Sequence, residues 1–256
     1  MHSVDDIMRA SAAWVWFPRG GEHETGEALL VRHPARFGGG VHASQVRSTR
    51  EAPEVLDSVI ERTRAWGETQ LTYWANPSDD PELESELQRR GATHFDTVAV
   101  LARPVGGAPI DVPDDVTVET ARTLEHIRAL DAINVAVWEH QNPLSEQGLH
   151  DEFAENAASL ASGEGGRALA YVDGRAVSTG GCTVSDGFVR LWGAATLPDS
   201  RGRGAYRAVL AERLRIGTSM GAKTALVKGR VTTSAPILAR AGFTHYGDER
   251  GYRLTV

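Results

Sequence analysis

The period of the apolar positions changes several times along the second half of the chain, and each change marks an element. Val116 to Val118 reads as a short strand, after which Leu124, Ile127, Leu130, Ile133 and Val137 recur at three- and four-residue steps, as on one face of a helix. A second helix is expected from Ser145 to Leu160. Two apolar stretches, 168–172 and 176–179, then flank Asp173-Gly174, a dipeptide suited to a tight hairpin turn. A further strand, Phe188 to Thr196, follows a second Asp-Gly turn at Asp186-Gly187. Past Pro198 the chain reads as a glycine-rich loop opening a helix, with Leu210 and Leu214 on one stripe, Val209 and Ile216 beside it, and Gly221 as its stop. Lys223 to Val227 reads as a buried strand, Ser234 to Ala241 as a short helix closed by Gly242, and Tyr246 to Leu254 as one or two final strands. The predicted order is βααβββαβαβ.

The first half carries a faint echo of this ending. Leu87, Arg89, Gly91, Thr93, His94 and Phe95 match Leu238, Arg240, Gly242, Thr244, His245 and Tyr246 in order and spacing, and a helical run closes before each segment, at Gly67 and Gly221. The match suggests a duplicated unit, although the common pattern of helix, glycine stop and strand would produce part of it. Between the copies, residues 103–113 combine three prolines with two glycines and lack apolar periodicity, which reads as a connector. Domains at 1–108 and 109–256 are therefore expected.

Composition narrows the partners. At 256 residues, 41% hydrophobic and 24% charged, the chain can bury a core as one large domain or two small ones. A net charge of -7 offers no general attraction to nucleic acid or membrane surfaces, so an anionic ligand needs a local site; the same charge favours a cationic small-molecule partner. One cysteine, Cys182, precludes an internal disulfide, and the nine histidines show no zinc-ligand spacing with it, so no metal is expected. With an acidic start at Met1-His2-Ser3-Val4-Asp5-Asp6 and an apolar run at 12–17 too short for a bilayer, a cytoplasmic location is expected.

The run Arg201-Gly202-Arg203-Gly204-Ala205-Tyr206 carries the clearest chemistry. A glycine-rich turn between a strand and a helix leaves N–H groups unpaired at the positive end of the helix dipole, where a phosphate or pyrophosphate is favoured. Arg201, Arg203 and Arg207 add local positive charge. A dinucleotide fingerprint would need a third glycine where Arg207 stands and a series of parallel strand–helix units in place of the hairpins upstream. The stretch 217–224 has Ala222 where a P-loop requires glycine before its lysine, and it precedes a strand.

What remains resembles the acetyl-CoA motif of the GNAT superfamily of N-acetyltransferases: Arg or Gln, two residues, Gly, one residue, then Gly or Ala. Tyr206 departs from it at the last position. The strand end and turn at 194–200 and the closing Ala241-Gly242-Phe243 fit the same family. The likeness covers Val116 to Val256 and, more weakly, Gly26 to Arg103. It implies an α+β fold of two tandem GNAT-like units, each a mixed, mostly antiparallel sheet flanked by helices, with 1–108 a degenerate copy and 109–256 the acetyl-CoA-binding domain. It further implies that the fourth strand of the second unit splays from the fifth, so that the acyl-pantetheine arm lies against the backbone of Ala194, Ala195 and Thr196. The pyrophosphate would meet Arg201, Gly202, Arg203, Gly204, Ala205 and Tyr206, and Ser234 would contribute at the start of the last helix.

Acid and base are less legible. Where many family members place a glutamate in the fourth strand, Arg190 stands, and where a tyrosine often acts as general acid, Leu238 stands. Glu139 and His140, after the first helix of the second unit, and Tyr246 are the remaining catalytic candidates, with His245 and Glu249 beside them. His140 as a solvated loop residue and Tyr246 as a packing aromatic are the competing readings. The expected activity is transfer of an acetyl group from acetyl-CoA to a primary amine of a small molecule by direct attack in a ternary complex, in a monomer or homodimer. A non-catalytic CoA-binding regulatory module and a protein N-acetyltransferase are the alternatives.

Overall fold

The computed structural model describes residues 2–138 and 141–256. Its two compact units are not the two halves of the sequence. The N-terminal unit comprises residues 4–100, 229–236 and 245–256, and the C-terminal unit residues 2–3, 101–228 and 237–244.

The N-terminal unit contains α1 (Val4–Ala12), β1 (Glu22–Thr25), β2 (Leu29–Arg32), β3 (Val41–Ser44), α2 (Ala52–Ala65), β4 (Gln70–Ala75), α3 (Pro81–Arg89), most of β5 (Thr93–Pro104) and most of the last strand of the chain, Thr244–Thr255. β1, β2 and β3 form an antiparallel meander, and β3 runs parallel to β4. The last strand lies against β4 with Arg250 opposite Ala75 and Thr255 opposite Gln70. A division at 108/109 keeps this strand with the second half, whereas its inward alternation packs Tyr252 and Leu254 among Leu71, Tyr73, Leu83 and Leu87. Arg250 reaches Glu84 at 2.5 Å, and the Tyr252 hydroxyl donates to the same carboxylate. Side-chain fit of this kind is invisible to a reading that proceeds along the chain.

The C-terminal unit contains β6 (Val116–Thr120), α4 (Leu124–Val137), α5 (Glu146–Ser162), β7 (Gly165–Val172), β8 (Arg175–Ser185), β9 (Phe188–Thr196), α6 (Ala205–Ser219), β10 (Thr224–Arg230) to Lys228, and the end of α7 (Ser234–Arg240). With the closing strand as β11, the elements follow the predicted order. β6, β7, β8 and β9 are antiparallel neighbours, and β10 runs parallel to β9. Thr123 caps α4 and Ser145 caps α5 through their hydroxyls, each accepting the N–H three residues on. α6 covers one face of this sheet with Ala205, Ala208 and Val209 against Ala168, Ala170 and Val177, while Ile127, Leu130 and Leu149 of α4 and α5 cover the other with Leu169 and Ala195. The fold is therefore α+β, a mixed sheet flanked by helices, and the duplication is physical: β3–α2–β4–α3–β5 repeats β9–α6–β10–α7–β11, with a parallel strand pair in each copy.

Candidate functional site

β9 is where the C-terminal sheet opens. Its ladder with β10 runs from Phe188↔Thr224 to Leu191↔Val227 and stops, although β9 continues for five residues. On the opposite edge it stays attached: Ala195 pairs with Thr179 and Thr196 with Ser178, whose hydroxyl donates to the Ala195 carbonyl at 2.9 Å. Between Trp192 and Ala195 the register slips by one residue, and Gly193 takes φ +60°. A left-handed glycine opposite an antiparallel partner makes a bulge that bends the strand and increases its twist, here carrying the last residues of β9 away from β10. Sequence reasoning expected the splay at 194–196 but missed its cause; a glycine inside a strand pattern was the available signal.

The chain then turns through a short 3-10 segment, Pro198–Ser200, and enters α6 by way of Gly202 and Gly204, both left-handed. Gly204 is the N-cap and has no side chain with which to cap. The helix therefore begins with its donors exposed. Among the described residues no hydrogen bond is made by the N–H groups of residues 202–207, and the first intrahelical bond is from Ala208 to the Gly204 carbonyl at 3.1 Å. Six unpaired backbone donors thus adjoin the positive end of a fifteen-residue helix, an arrangement that suits a pyrophosphate.

The loop arginines do not all serve that spot. Arg203 donates to Asp173 at 2.8 Å and to Asp115 at 3.0 Å, which raises its pKa, and Arg207 donates to Asp111 at 2.8 Å. Arg201 makes a single long contact with the Thr196 carbonyl, 3.3 Å. Of the cations expected here, Arg201 is thus the one without a carboxylate partner among the described residues. Asp111, Asp115 and Asp173 were not anticipated, since they come from the connector and a hairpin turn far away in sequence.

Tyr206 faces inward. Its ring lies 5.9 Å from the guanidinium carbon of Arg213, two turns along α6. Arg213 is fully buried, with Nη1 3.4 Å from the carbonyls of Gly181 and Trp192 and with Nη2 lacking a partner among the described residues. It thereby bridges the two strands at the bulge, on the α6 face. Sequence reasoning missed Arg213, which stands beside the apolar stripe of α6 between Leu210 and Leu214.

The opposite face carries a second group. The Trp192 indole N–H donates to the Thr183 hydroxyl at 2.9 Å, and the ring lies over Gly181, where an added Cβ would come within 2.3 Å of it. Arg167, paired to Glu152 of α5 at 2.5 Å, stacks 5.4 Å from the same ring. Arg190 stands opposite Thr183 on β8 and opposite Leu226 on β10. Its Nε is buried and unpartnered among the described residues, and burial lowers its pKa against the opposing influence of Asp186.

The remaining candidates disperse. Glu139 and His140 lie outside the described residues. Tyr246 and Ser234 belong to the N-terminal unit. His245 there pairs with Asp248 at 2.8 Å, and Glu249 is buried, accepting from Ser11 and Asn76 at 3.0 Å, so both are held by contacts within that unit. Leu238 is wholly buried, and burial pushes the Cys182 thiol up to about 11. In the N-terminal copy the position before α2 is filled by carboxylates: Arg50 joins Glu27 and Glu54, and Glu51 is the helix cap. No cluster of three or more metal-ligating side chains exists among the described residues, and no helix among them is long and apolar enough to cross a membrane.

No family model and no curated relative matches the sequence. Solved structures do match. A GCN5-related N-acetyltransferase from Kribbella flavida aligns over 92% of this chain and 90% of its own, with TM-score 0.65 at 20% identity. One from Sphaerobacter thermophilus aligns over 99% and 85%, with TM-score 0.66 at 16% identity. A tandem GNAT protein from the clavulanic acid biosynthesis pathway aligns over 98% and 87%, with TM-score 0.62 at 13% identity. The fold is the one these proteins share, and the resemblance to the GNAT superfamily read from the loop extends to the architecture.

Proposed function

We propose that the C-terminal unit binds acetyl-CoA and that the protein is an acyltransferase, moving the acetyl group to a primary amine of a small molecule by direct attack in a ternary complex. The observation that carries this reading is the junction of two backbone features: six unpaired N–H groups at the start of α6, and a strand that leaves its parallel neighbour immediately before them. The first suits a pyrophosphate. The second presents peptide groups of residues 192–196 on an edge that β10 no longer covers.

Acetyl-CoA, when bound, supplies an acyl group activated as a thioester. The protein's part is positioning and electrostatics. The N–H groups of 202–207 and Arg201 hold the diphosphate, and an uncovered N–H in the 192–196 stretch can donate to the thioester oxygen as negative charge grows there. No carboxylate or imidazole among the described residues stands on β9 to take the amine proton, so the amine is best supplied neutral, with water or the substrate itself carrying the proton away. A cytoplasmic monomer or homodimer completes the reading.

Calorimetry tests it. Gly202 has open space around its Cβ position, so Gly202→Asp adds a carboxylate to the cradle without a clash, at the cost of some backbone strain at its φ of +81°. Acetyl-CoA is expected to bind the wild type and to bind Gly202→Asp and Arg201→Ala more weakly; absence of binding, or binding unchanged in both variants, defeats the proposal. A non-catalytic CoA-binding module is the second reading, favoured by Arg190 and Leu238 in the places where base and acid were sought. Thiol release over a panel of amines separates the two.

A further inference from the structure

We infer that Arg190 is a docking point for an oxyanion group, carboxylate or phosphate, on the acceptor, so that the substrate class is amines carrying an anionic group at the end away from, or beside, the nitrogen. The inference rests on the acyltransferase reading for its choice of molecule, and on the following geometry for its charge.

Arg190 is one rung before the last pair between β9 and β10, at the vertex of the opening. It shares a face with Trp192, two residues further along, and with Thr183, directly opposite on β8, which accepts the indole N–H. This is the face over which α5 reaches through Glu152 to Arg167. An amine that enters the opening toward residues 194–196 therefore leaves the rest of its molecule against Trp192 and Arg190.

The guanidinium there is partly buried and has gained no partner among the described residues. No ion pair joins Arg190 to a carboxylate among the described residues, and its Nε is buried with nothing to donate to. Asp186, in the preceding turn, acts on it only through space and is outweighed by burial. A buried donor left unpaired is costly, more so when charged, and a ligand oxyanion is the group that recovers the loss. Arginine is also the side chain whose planar fork matches a carboxylate or phosphate. Of the cations around it, Arg167 is engaged with Glu152, Arg203 with Asp115 and Asp173, and Arg207 with Asp111, while Arg201 lies in the cradle loop and Arg213 on the α6 face. Although the whole chain carries -7, Arg190 thus offers the acceptor a positive charge that no ion pair compensates among the described residues, and the cationic acceptor suggested by net charge gives way to a zwitterionic one.

The test compares matched amines on the full-length protein with acetyl-CoA: amino acids against their decarboxylated amines, and phosphoethanolamine against ethanolamine. Loss of a charge-assisted contact predicts a preference for the anionic member of about tenfold or more in kcat/KM, carried mainly by KM. Calorimetric binding of the same compounds in the presence of CoA should show the same order. Which pair shows the preference distinguishes carboxylate from phosphate. Arg190→Gln should abolish the preference while acetyl-CoA affinity and Tm stay near wild type, and Arg190→Lys should restore part of it. Equal use and equal binding of both members, binding of none, or a preference that survives in Arg190→Gln overturns the inference. If thiol release from neutral amines continues without any preference, the transferase reading stands and this inference falls. If no amine releases thiol but anionic amines still bind through Arg190, the outcome is the reverse.

Discussion

Gly204 stands against Pro113 so closely that a Cβ on it would lie 2.6 Å from the proline Cδ. Its φ is +88°, so a side chain would be strained there even without the contact. Gly204→Ala is expected to cost about 1–3 kcal/mol from the backbone conformation alone. The clash with Pro113 should shift the start of α6 and weaken acetyl-CoA binding as well. Thermal unfolding and calorimetry on the same preparation check both, and an alanine variant with wild-type Tm and affinity would contradict the account.

Arg203 is held away from the cradle by Asp115 and Asp173. Exposed ion pairs of this kind contribute little to stability, so removing the carboxylates should leave Tm almost unchanged. It should instead release a cation beside the pyrophosphate: the double variant Asp115→Asn, Asp173→Asn is expected to bind acetyl-CoA about threefold more tightly at low salt, the gain fading at 1 M where screening is nearly complete. Titrations at two salt concentrations measure it. A weaker-binding double variant would show that the carboxylates orient Arg203 for the ligand.

Cys182 is enclosed between strands, and burial holds its thiol near 11. At pH 8 the native protein should therefore resist alkylation by iodoacetamide, with reaction following only on unfolding. Cys182→Ala should retain acetyl transfer at the wild-type rate. Rapid modification of the folded protein, or loss of turnover in the alanine variant with stability preserved, would point to a nucleophilic role.

His33 and His42 stack in the N-terminal unit with ring centroids 3.8 Å apart. Burial lowers His33 to about 4; burial, then the charges of His33 and Arg253, lower His42 to about 3. The unfolded chain takes up protons near pH 6.5 while the folded one does not, so stability falls as pH drops from 6.5 toward those values. By pH 5 the loss is on the order of 1–2 kcal/mol per histidine. His33→Leu with His42→Leu should flatten Tm between pH 7 and 5, whatever its effect at pH 7. A slope equal to that of the wild type would place the acid sensitivity elsewhere.

The order of elements was legible almost throughout. Phe188–Thr196 and the helix starts at Glu146 and Ala205 follow from turn dipeptides, capping residues and apolar period, all of which act within a few residues. The uncapped start of α6 was legible for the same reason, because a glycine-rich helix start is a local backbone property. Even the duplication left a trace, in helices that end on left-handed glycines at Gly67 and Gly221.

Other features depend on groups far apart in sequence, and only the folded chain decides them. β11 pairs with β4 because Tyr252 and Leu254 fit a core built from residues 41–87, a choice that no periodicity within β11 encodes. The arginines at 203 and 207 read as free cations until the connector and a hairpin turn bring carboxylates to them. Arg190 looked like the loss of a base; the fold places it at the vertex of the opening, half-buried and unpaired among the described residues. The sequence by itself thus determined which segments become helices, strands and a glycine-rich turn with unpaired donors, since those depend on local backbone and side-chain preference. Tertiary structure decided which strand meets which, and which charges remain available to a ligand, since burial and pairing are set by neighbours distant along the chain.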